Sequence, residues 1–171
     1  IAFLFCIDSS AQSISSFNPI NACNNSGDSV IITGNNFTGA TSVTFNGVTA
    51  TSFTIDNDSQ ITAILSASAS TGFISVVTLL GTATSTGVFT VDSPPTATAG
   101  GTQTICSNAT ATISGASATN GTILWTENGA GTITAGATTL TPTYTPTAAD
   151  AGTSVTLTMT VTSNNACAPQ T

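Results

Sequence analysis

Alternation of hydroxyl and apolar side chains is the feature that most constrains the fold of this chain. The run 154–162 (SVTLTMTVT) places Val, Leu, Met and Val at every second position and hydroxyl residues between them. A period of two predicts a β-strand with its apolar side on a core and its Thr side in solvent. The sequence has 37 Thr and 21 Ser but no Leu, Glu and Lys run at helical spacing. We therefore expect an all-β fold.

Further strand candidates are separated by Gly, Asn, Asp and Pro turn signals. In the first half they are 14–17, 29–33, 42–45, 52–55, 60–65, 72–78 and 87–91. In the second half they are 102–106, 109–114, 122–127, 131–134, 139–144 and 154–162. Short strands at this spacing predict antiparallel sandwiches. Pro94 and Pro95 fix an extended joint, so that 93–95 is predicted to be a linker between two domains.

The charge pattern excludes several classes of function. The 171 residues include seven acidic residues and no Lys, Arg or His, giving a formal net charge of −7. Without cations a chain cannot neutralise phosphates, so we expect no nucleic-acid partner. Without His or Lys it has no Ser-His-Asp triad, no usual zinc site, no Schiff base and no P-loop. We expect a protein that is not an enzyme and carries no cofactor.

The first twelve residues allow two interpretations. Residues 1–7 (IAFLFCI) are continuously apolar, and Ser9 and Ala11 stand at the −3 and −1 positions of a signal-peptidase site before Gln12. The segment is then the remnant of a secretory signal, and the mature chain has no membrane insertion. Alternatively it is a strand, with Ile1, Phe3, Phe5 and Ile7 on the face that it could donate to a neighbouring copy.

Residues 13–92 carry five spaced motifs that resemble the IPT/TIG immunoglobulin-like family. They are 15–19 (SSFNP), 30–37 (VIITGNNF), 43–48 (VTFNGV), 60–63 (QITA) and 87–91 (GVFTV). Gly34 and Asn35 are expected to adopt positive φ, and Phe37 to anchor its loop in the core. Asn46-Gly47 is the dipeptide of a tight hairpin, and 57–59 is a turn. The chain departs from the family at 21–26, where the family has a Gly-rich turn.

Residues 96–171 resemble the PKD-like, Ig-like repeats of surface and gliding-associated proteins exported by Bacteroidetes. The resemblance is carried by 104–106 (TIC), 124–125 (LW), 141–146 (TPTYTP), 148–150 (AAD) and the strand 155–161. The resemblance implies two tandem antiparallel Ig-like sandwiches, the second lacking its last strand. It also implies a secreted or cell-surface protein.

The four cysteines do not form a C-x-x-C motif, so that a metal or thioredoxin-like site is not indicated. In an exported protein we expect Cys106 and Cys167, near the two ends of the second module, to form a disulfide. Cys23 is then left over, unless Cys6 stays in the mature chain and pairs with it.

Other candidate sites each have a plainer alternative. Asp56 and Asp58 could offer oxygen ligands to calcium, or cap the backbone of their own turn. Ser29 follows Asp28 and precedes Val30, which fits the O-glycosylation tripeptide that the Bacteroidetes resemblance implies; the alternative is a loop entering a strand. Trp125 and Tyr144 could form a platform for carbohydrate, but single aromatic residues usually belong to the core.

Together these features predict a non-enzymatic structural or adhesion module of a multidomain bacterial cell-surface protein. Its partners would be neighbouring domains, copies of itself, or surface glycans or proteins. One alternative is an extracellular filament subunit joined by β-strand donation. A more distant alternative is an accessory domain of a secreted hydrolase.

Overall fold

The computed structural model describes residues 11–25, 27–106 and 108–167, and the chain divides into two compact units after Asp92. Both are built almost entirely from β-strands in mostly antiparallel sheets, as the alternation predicts. Ala148–Asp150 forms a short 3₁₀ turn. No helix in the described ranges is long and apolar enough to cross a membrane. Ile1, Phe3, Phe5, Ile7 and Cys6 lie outside the described residues.

The described residues of the first unit form ten strands. They are β1 (Ser13–Asn18), β2 (Asn21–Cys23), β3 (Ser29–Asn35), β4 (Ser42–Phe45), β5 (Val48–Thr49), β6 (Ser52–Asn57), β7 (Gln60–Ile64), β8 (Ile74–Thr78), β9 (Gly81–Thr84) and β10 (Thr90–Asp92). One four-stranded sheet has the order β1-β3-β7-β6 and the other the order β5-β4-β8-β9, both antiparallel, whereas β10 pairs with β2 in parallel.

A single hydrophobic core joins the two large sheets of this unit. Alternate residues of the central strands are fully buried, among them Ile32 in β3 and Val76 in β8. Phe37, Phe45 and Phe89 fill the space between the sheets, and the Phe45 and Phe89 rings lie 5.2 Å apart. The period-two pattern therefore produces the core directly, because successive side chains point to opposite faces of a strand.

Three turns of this unit show which local predictions hold. Asn46 and Gly47 both have positive φ between β4 and β5, which confirms the tight hairpin. Phe37 is fully buried, as expected. Gly34 and Asn35, predicted to be turn residues that tolerate positive φ, instead lie at the end of β3, and the positive φ of this loop falls on Asn36. Gly34 lies in β3, where a Cβ atom would collide with the carbonyl of Ser13.

The described residues of the second unit form seven strands. They are β11 (Thr96–Thr98), β12 (Ala111–Thr112), β13 (Ser117–Thr119), β14 (Gly121–Glu127), β15 (Thr132–Ala135), β16 (Thr143–Thr145) and β17 (Leu157–Ser163). They form three small antiparallel sheets with the orders β11-β13, β12-β16-β15 and β14-β17. The buried hydrophobic cluster is small and consists of Ile113, Trp125, Met159 and Val161.

Two strand predictions in the second unit are corrected. The segment 102–106 is exposed and joins no ladder, so the strand predicted there is wrong. Its composition suits a strand, but strand formation also requires a pairing partner. The long alternation predicted at 154–162 forms β17 only from Leu157 onward. β2, β9, β11 and β13 were not predicted, since they are short and lack a run of large apolar residues.

Candidate binding cleft and surface sites

The second unit contains a cleft of about 820 Å³. Two segments, 99–106 and 150–157, line it together with the side chains of Ile113, Trp125 and Tyr144. Apart from the carboxylate of Asp150 and the amide of Gln103, its lining consists of hydroxyl, small and apolar residues. Sequence reasoning missed this cleft, because it follows from 102–106 failing to enter a sheet.

Trp125 and Tyr144 are core residues and do not form a platform. Each is only 3% exposed. The indole Nε1–H of Trp125 donates to the carbonyl of Thr139 at 2.8 Å, and the N–H of Gly131 donates to the Tyr144 hydroxyl at 2.8 Å. A stacked sugar needs an open aromatic face, so these rings do not provide the carbohydrate platform considered from the sequence.

Asp150 is the carboxylate of the cleft lining, and its oxygens are fully engaged. Oδ1 accepts the N–H of Ala130 at 2.7 Å, and Oδ2 accepts the N–H of Thr147 at 2.8 Å and the Tyr144 hydroxyl at 2.9 Å. These bonds, led by the Thr147 N–H, lower the pKa of Asp150 below its ordinary value. Burial and the same carboxylate raise the pKa of Tyr144. Asp150 therefore ties the loop after β16 to the loop before β15.

Within the described residues the strand β17 pairs with β14 alone, where Leu157, Met159 and Val161 face Glu127, Trp125 and Ile123. The Asn128 N–H donates to the Thr156 carbonyl at 3.3 Å, whereas the Trp125 N–H points away from β17 to the Ala137 carbonyl at 2.8 Å.

Because ladder bonds alternate along an antiparallel pair, Leu157, Met159 and Val161 direct their N–H and C=O groups to the outer edge of β17. β11 packs against β17 without joining its ladder. Met159 and Val161 are 4% and 0% exposed, so that this edge is covered beyond Leu157. Leu157 is half-buried and also lines the cleft.

Asp56 and Asp58 make separate hydrogen bonds within the first unit. Asp56 Oδ2 accepts from Gln60 Nε2 at 3.1 Å and from Thr62 Oγ1 at 2.7 Å. Asp58 Oδ1 accepts from the hydroxyl and the N–H of Thr38 at 2.6 and 3.1 Å. The Thr38 hydroxyl is the main cause of the lowered pKa of Asp58. No cluster of three metal-ligating side chains occurs among the residues that the structure describes.

Ser29 is exposed at the start of β3, directly after Asp28. Its hydroxyl is therefore accessible to a glycosyltransferase, and the modification stays a prediction.

The predicted pairing of Cys106 with Cys167 is wrong. Cys106 is a free, exposed thiol in the segment 99–106 that lines the cleft. Cys167 and Cys23 are each disulfide-bonded. The spacing of cysteines along a chain does not determine which of them pair, because pairing requires that the Cβ atoms approach within about 4.5 Å.

The hairpin between β8 and β9 exposes two leucines at its tip. Leu79 is 95% and Leu80 61% exposed, and Gly81 completes the turn with a φ of +127°. At the end of β8, the Thr78 hydroxyl donates to Gln12 Oε1 at 3.1 Å. Gln12 Nε2 in turn donates to the Val76 carbonyl at 3.3 Å. The side chains of Leu79 and Leu80 therefore lie outside the core of the first unit.

Comparison with known proteins gives loose structural likenesses. No family model matches the chain, and no curated protein matches it. An auxiliary nutrient binding protein from Bacteroides thetaiotaomicron VPI-5482 is similar over 51% of this chain and 22% of its own length, with 18% identity and a TM-score of 0.45. The full extracellular region of Plexin A4 is similar over 93% of this chain and 17% of its own, with 18% identity and a TM-score of 0.43.

SGBP-B from a complex xyloglucan utilization locus in Bacteroides uniformis is similar over 91% of this chain and 47% of its own, with 18% identity and a TM-score of 0.38. The chain thus spans less than half the length of each of these three proteins. At these TM-scores the likenesses carry no argument about function, which has to be argued from the residues of the chain itself.

Proposed function

We propose that this chain is a non-enzymatic, exported β-module that serves a structural or adhesive role at a bacterial cell surface. The observation that carries the proposal is that Cys23 and Cys167 are disulfide-bonded. Disulfides persist in oxidising compartments and are rare in the cytosol, where thiols are kept reduced. A disulfide in a chain of two small β units therefore supports export.

The chemistry of the side chains supports a role without catalysis. The sequence has no Lys, Arg or His, so proton transfer would depend on the seven carboxylates. Asp150, the carboxylate of the cleft, is held ionised by donors that satisfy both of its oxygens. A general acid or base needs a pKa near the working pH, and the pKa of Asp150 is shifted away from that range.

The surface supports exposure outside the cell. Along β17 hydroxyl side chains alternate with core residues, so that the solvent face of this strand is polar and uncharged. The chain also offers no Lys or Arg at which trypsin-like proteases cleave. A pair of β units without trypsin sites suits a stalk or a ligand-presenting module.

The experiment is to stain intact and permeabilised cells of the organism that makes the protein with an antibody raised against the purified chain. We expect equal staining of intact and permeabilised cells, with a cytoplasmic protein stained only after permeabilisation as the control. Staining that requires permeabilisation would refute the cell-surface role.

A further inference from the structure

We propose that residues 102–106 are a hinged strap, which moves between the detached position seen in the structure and a strand on the outer edge of β12. This goes beyond the proposed function, because it assigns a conformational change to one wall of the cleft. Three observations carry it: the direction of the β12 backbone, a register that the strap already shares with β12, and a side-chain hydrogen bond that stands in for a main-chain one.

One edge of β12 faces the strap. The N–H of Ile113, directly after β12, donates to the Pro142 carbonyl at 2.9 Å on the side of β16. Because the backbone groups of successive residues point to opposite edges of a strand, Thr112 directs its N–H and C=O away from β16. The Thr112 carbonyl accepts Gln103 Nε2 at 2.6 Å, which places the strap on this outer side. Among the described residues β12 pairs with β16 alone, so that its outer edge can take one more strand.

The strap already runs beside β12 in the register of a hairpin. Three contacts lie on this antiparallel register: Cys106 with Ala109, whose N–H donates to the Cys106 carbonyl at 3.0 Å, Gln103 with Thr112, and Gly100 with Ser114, whose carbonyl lies 2.6 Å from where a Gly100 Cβ would be. Despite this register, no main-chain hydrogen bond of 102–105 occurs in the part of the chain that the structure describes. The strap can therefore complete the ladder without a change of register.

The Gln103 side chain takes the place of a ladder bond. Its Nε2 donates to the Thr112 carbonyl, which is the acceptor that the main-chain N–H of Gln103 would use in a ladder. In the strand state, Gln103 and Thr112 exchange two main-chain hydrogen bonds, and Ile105 and Thr110 exchange two more. The two states thus differ by a few hydrogen bonds, and states so close in free energy are both populated.

The two ends of the strap permit the motion. Gly100 has a φ of +92°, and at Gly101 there is open space where a Cβ would lie. Hinges are a few residues that absorb changes in φ and ψ, and glycine does so without steric cost. At the other end, the hydrogen bond between Ala109 and Cys106 closes the turn that leads to β12. The strap is therefore held at the turn and hinged at the glycines.

The motion changes the cleft, because residues 99–106 form one of its walls. Directly opposed residues of an antiparallel pair share a face of the sheet. Ala111 is half-buried and lines the cleft, so that in the strand state Thr104, opposite it, and Cys106, two residues further on, turn toward the cleft. The strand state therefore shields the Cys106 thiol, which the detached state exposes.

Hydrogen exchange of single amides, followed by NMR on the full chain, tests the strand state. In that state the N–H groups of Gln103 and Ile105 are bonded to β12, whereas the N–H of Thr104 points away from it. After correction for intrinsic rates, we expect Gln103 and Ile105 to exchange at least about tenfold more slowly than Thr104. Q103A removes the competing side chain and should slow exchange at Ile105 about fivefold further, which corresponds to one hydrogen bond.

A matched pair of variants tests the coupling to the cleft. I105P removes an N–H that is bonded in the strand state alone, whereas I105A also removes the Ile side chain but keeps the N–H. Both are made in a C6S background, so that Cys106 is the thiol that reacts with iodoacetamide. We expect alkylation of Cys106 at least about threefold faster in I105P than in I105A, because the shielding state is lost. Wild-type fluorescence of Trp125 in both variants shows that the second unit is folded.

Two results would overturn the proposal. One is equal exchange at Gln103, Thr104 and Ile105 in both the wild type and Q103A, which would show that the strap never joins the ladder. The other is equal alkylation in I105P and I105A, which would show that the strap does not control access to the thiol. The exchange measurement on the wild type needs no substitution and decides the question if I105P fails to fold.

Discussion

Replacing Phe37 by alanine tests whether the two units have independent cores. Phe37 is 0% exposed in the core of the first unit, and the buried cluster of the second unit is a separate one built around Trp125. Sequence-based reasoning predicts two domains on either side of 93–95. If they are independent, damage to the first core leaves the second core unchanged.

The magnitude follows from burial. Truncating a fully buried Phe to Ala costs about 3–5 kcal/mol, because transfer free energy is lost and a cavity remains. With a urea m-value of about 1.5 kcal/mol/M, a loss of about 4 kcal/mol lowers the midpoint of the first unit by about 2.7 M. F37L, which keeps most of the volume, should cost less than about 1.5 kcal/mol and keeps the unit measurable if F37A unfolds it.

The sequence provides a selective probe, because Trp125 is the single Trp of the chain. Its fluorescence follows the second unit, while far-ultraviolet circular dichroism follows both. We expect urea titrations of F37A to show an early dichroism transition and a Trp fluorescence transition that coincides with the wild-type one. V161A is the matched control, and it should shift the fluorescence transition. If fluorescence and dichroism shift together in F37A, the chain has one cooperative core and the reasoning is refuted.

Three further predictions concern single sites. Because its pKa is lowered in the folded chain, Asp150 stabilises the second unit above its unfolded pKa of about 4, and this stability is lost as the pH falls through the folded pKa. D150N should therefore reduce the loss of stability at acid pH, measured as the free energy of unfolding from Trp fluorescence. A D150N profile identical to that of the wild type would contradict this. G34A should lower the free energy of unfolding of the first unit by about 1–3 kcal/mol, because the added Cβ meets the Ser13 carbonyl. G87A is the control and should be nearly neutral in the same urea titration, because its Cβ meets only the Phe17 ring at 3.5 Å. L79D/L80N should change stability by less than about 0.5 kcal/mol, since both side chains are exposed; a loss above about 1 kcal/mol would show that the tip is packed.

Local signals in the sequence predicted much of the first unit. The alternation in β3, β4, β7 and β8 identifies the core positions, because burial on one face is what a period of two encodes. Asn46-Gly47 specifies its own turn, because both residues tolerate positive φ. Gly34 was predicted to be a turn residue, whereas the structure requires glycine there because the Ser13 carbonyl of the neighbouring strand comes close. Such a tertiary contact is not revealed by any local pattern.

The candidate site could not be predicted in the same way. The segment 102–106 has a strand-like composition, and its failure to pair depends on what the neighbouring strands offer. Cys106 was predicted to pair with Cys167 because both lie in one module, but the pairing depends on distances in space. The cleft beside β17 follows from the path of 99–106, which no local pattern indicates.

The most direct test of an exported, oxidised module is a disulfide map of protein whose thiols are alkylated while it is still on the cell. The chain lacks trypsin sites, so chymotrypsin or pepsin would release the peptides for mass spectrometry. We predict that Cys23 and Cys167 are both recovered in disulfide-linked peptides. Recovery of both residues as alkylated thiols would contradict the account.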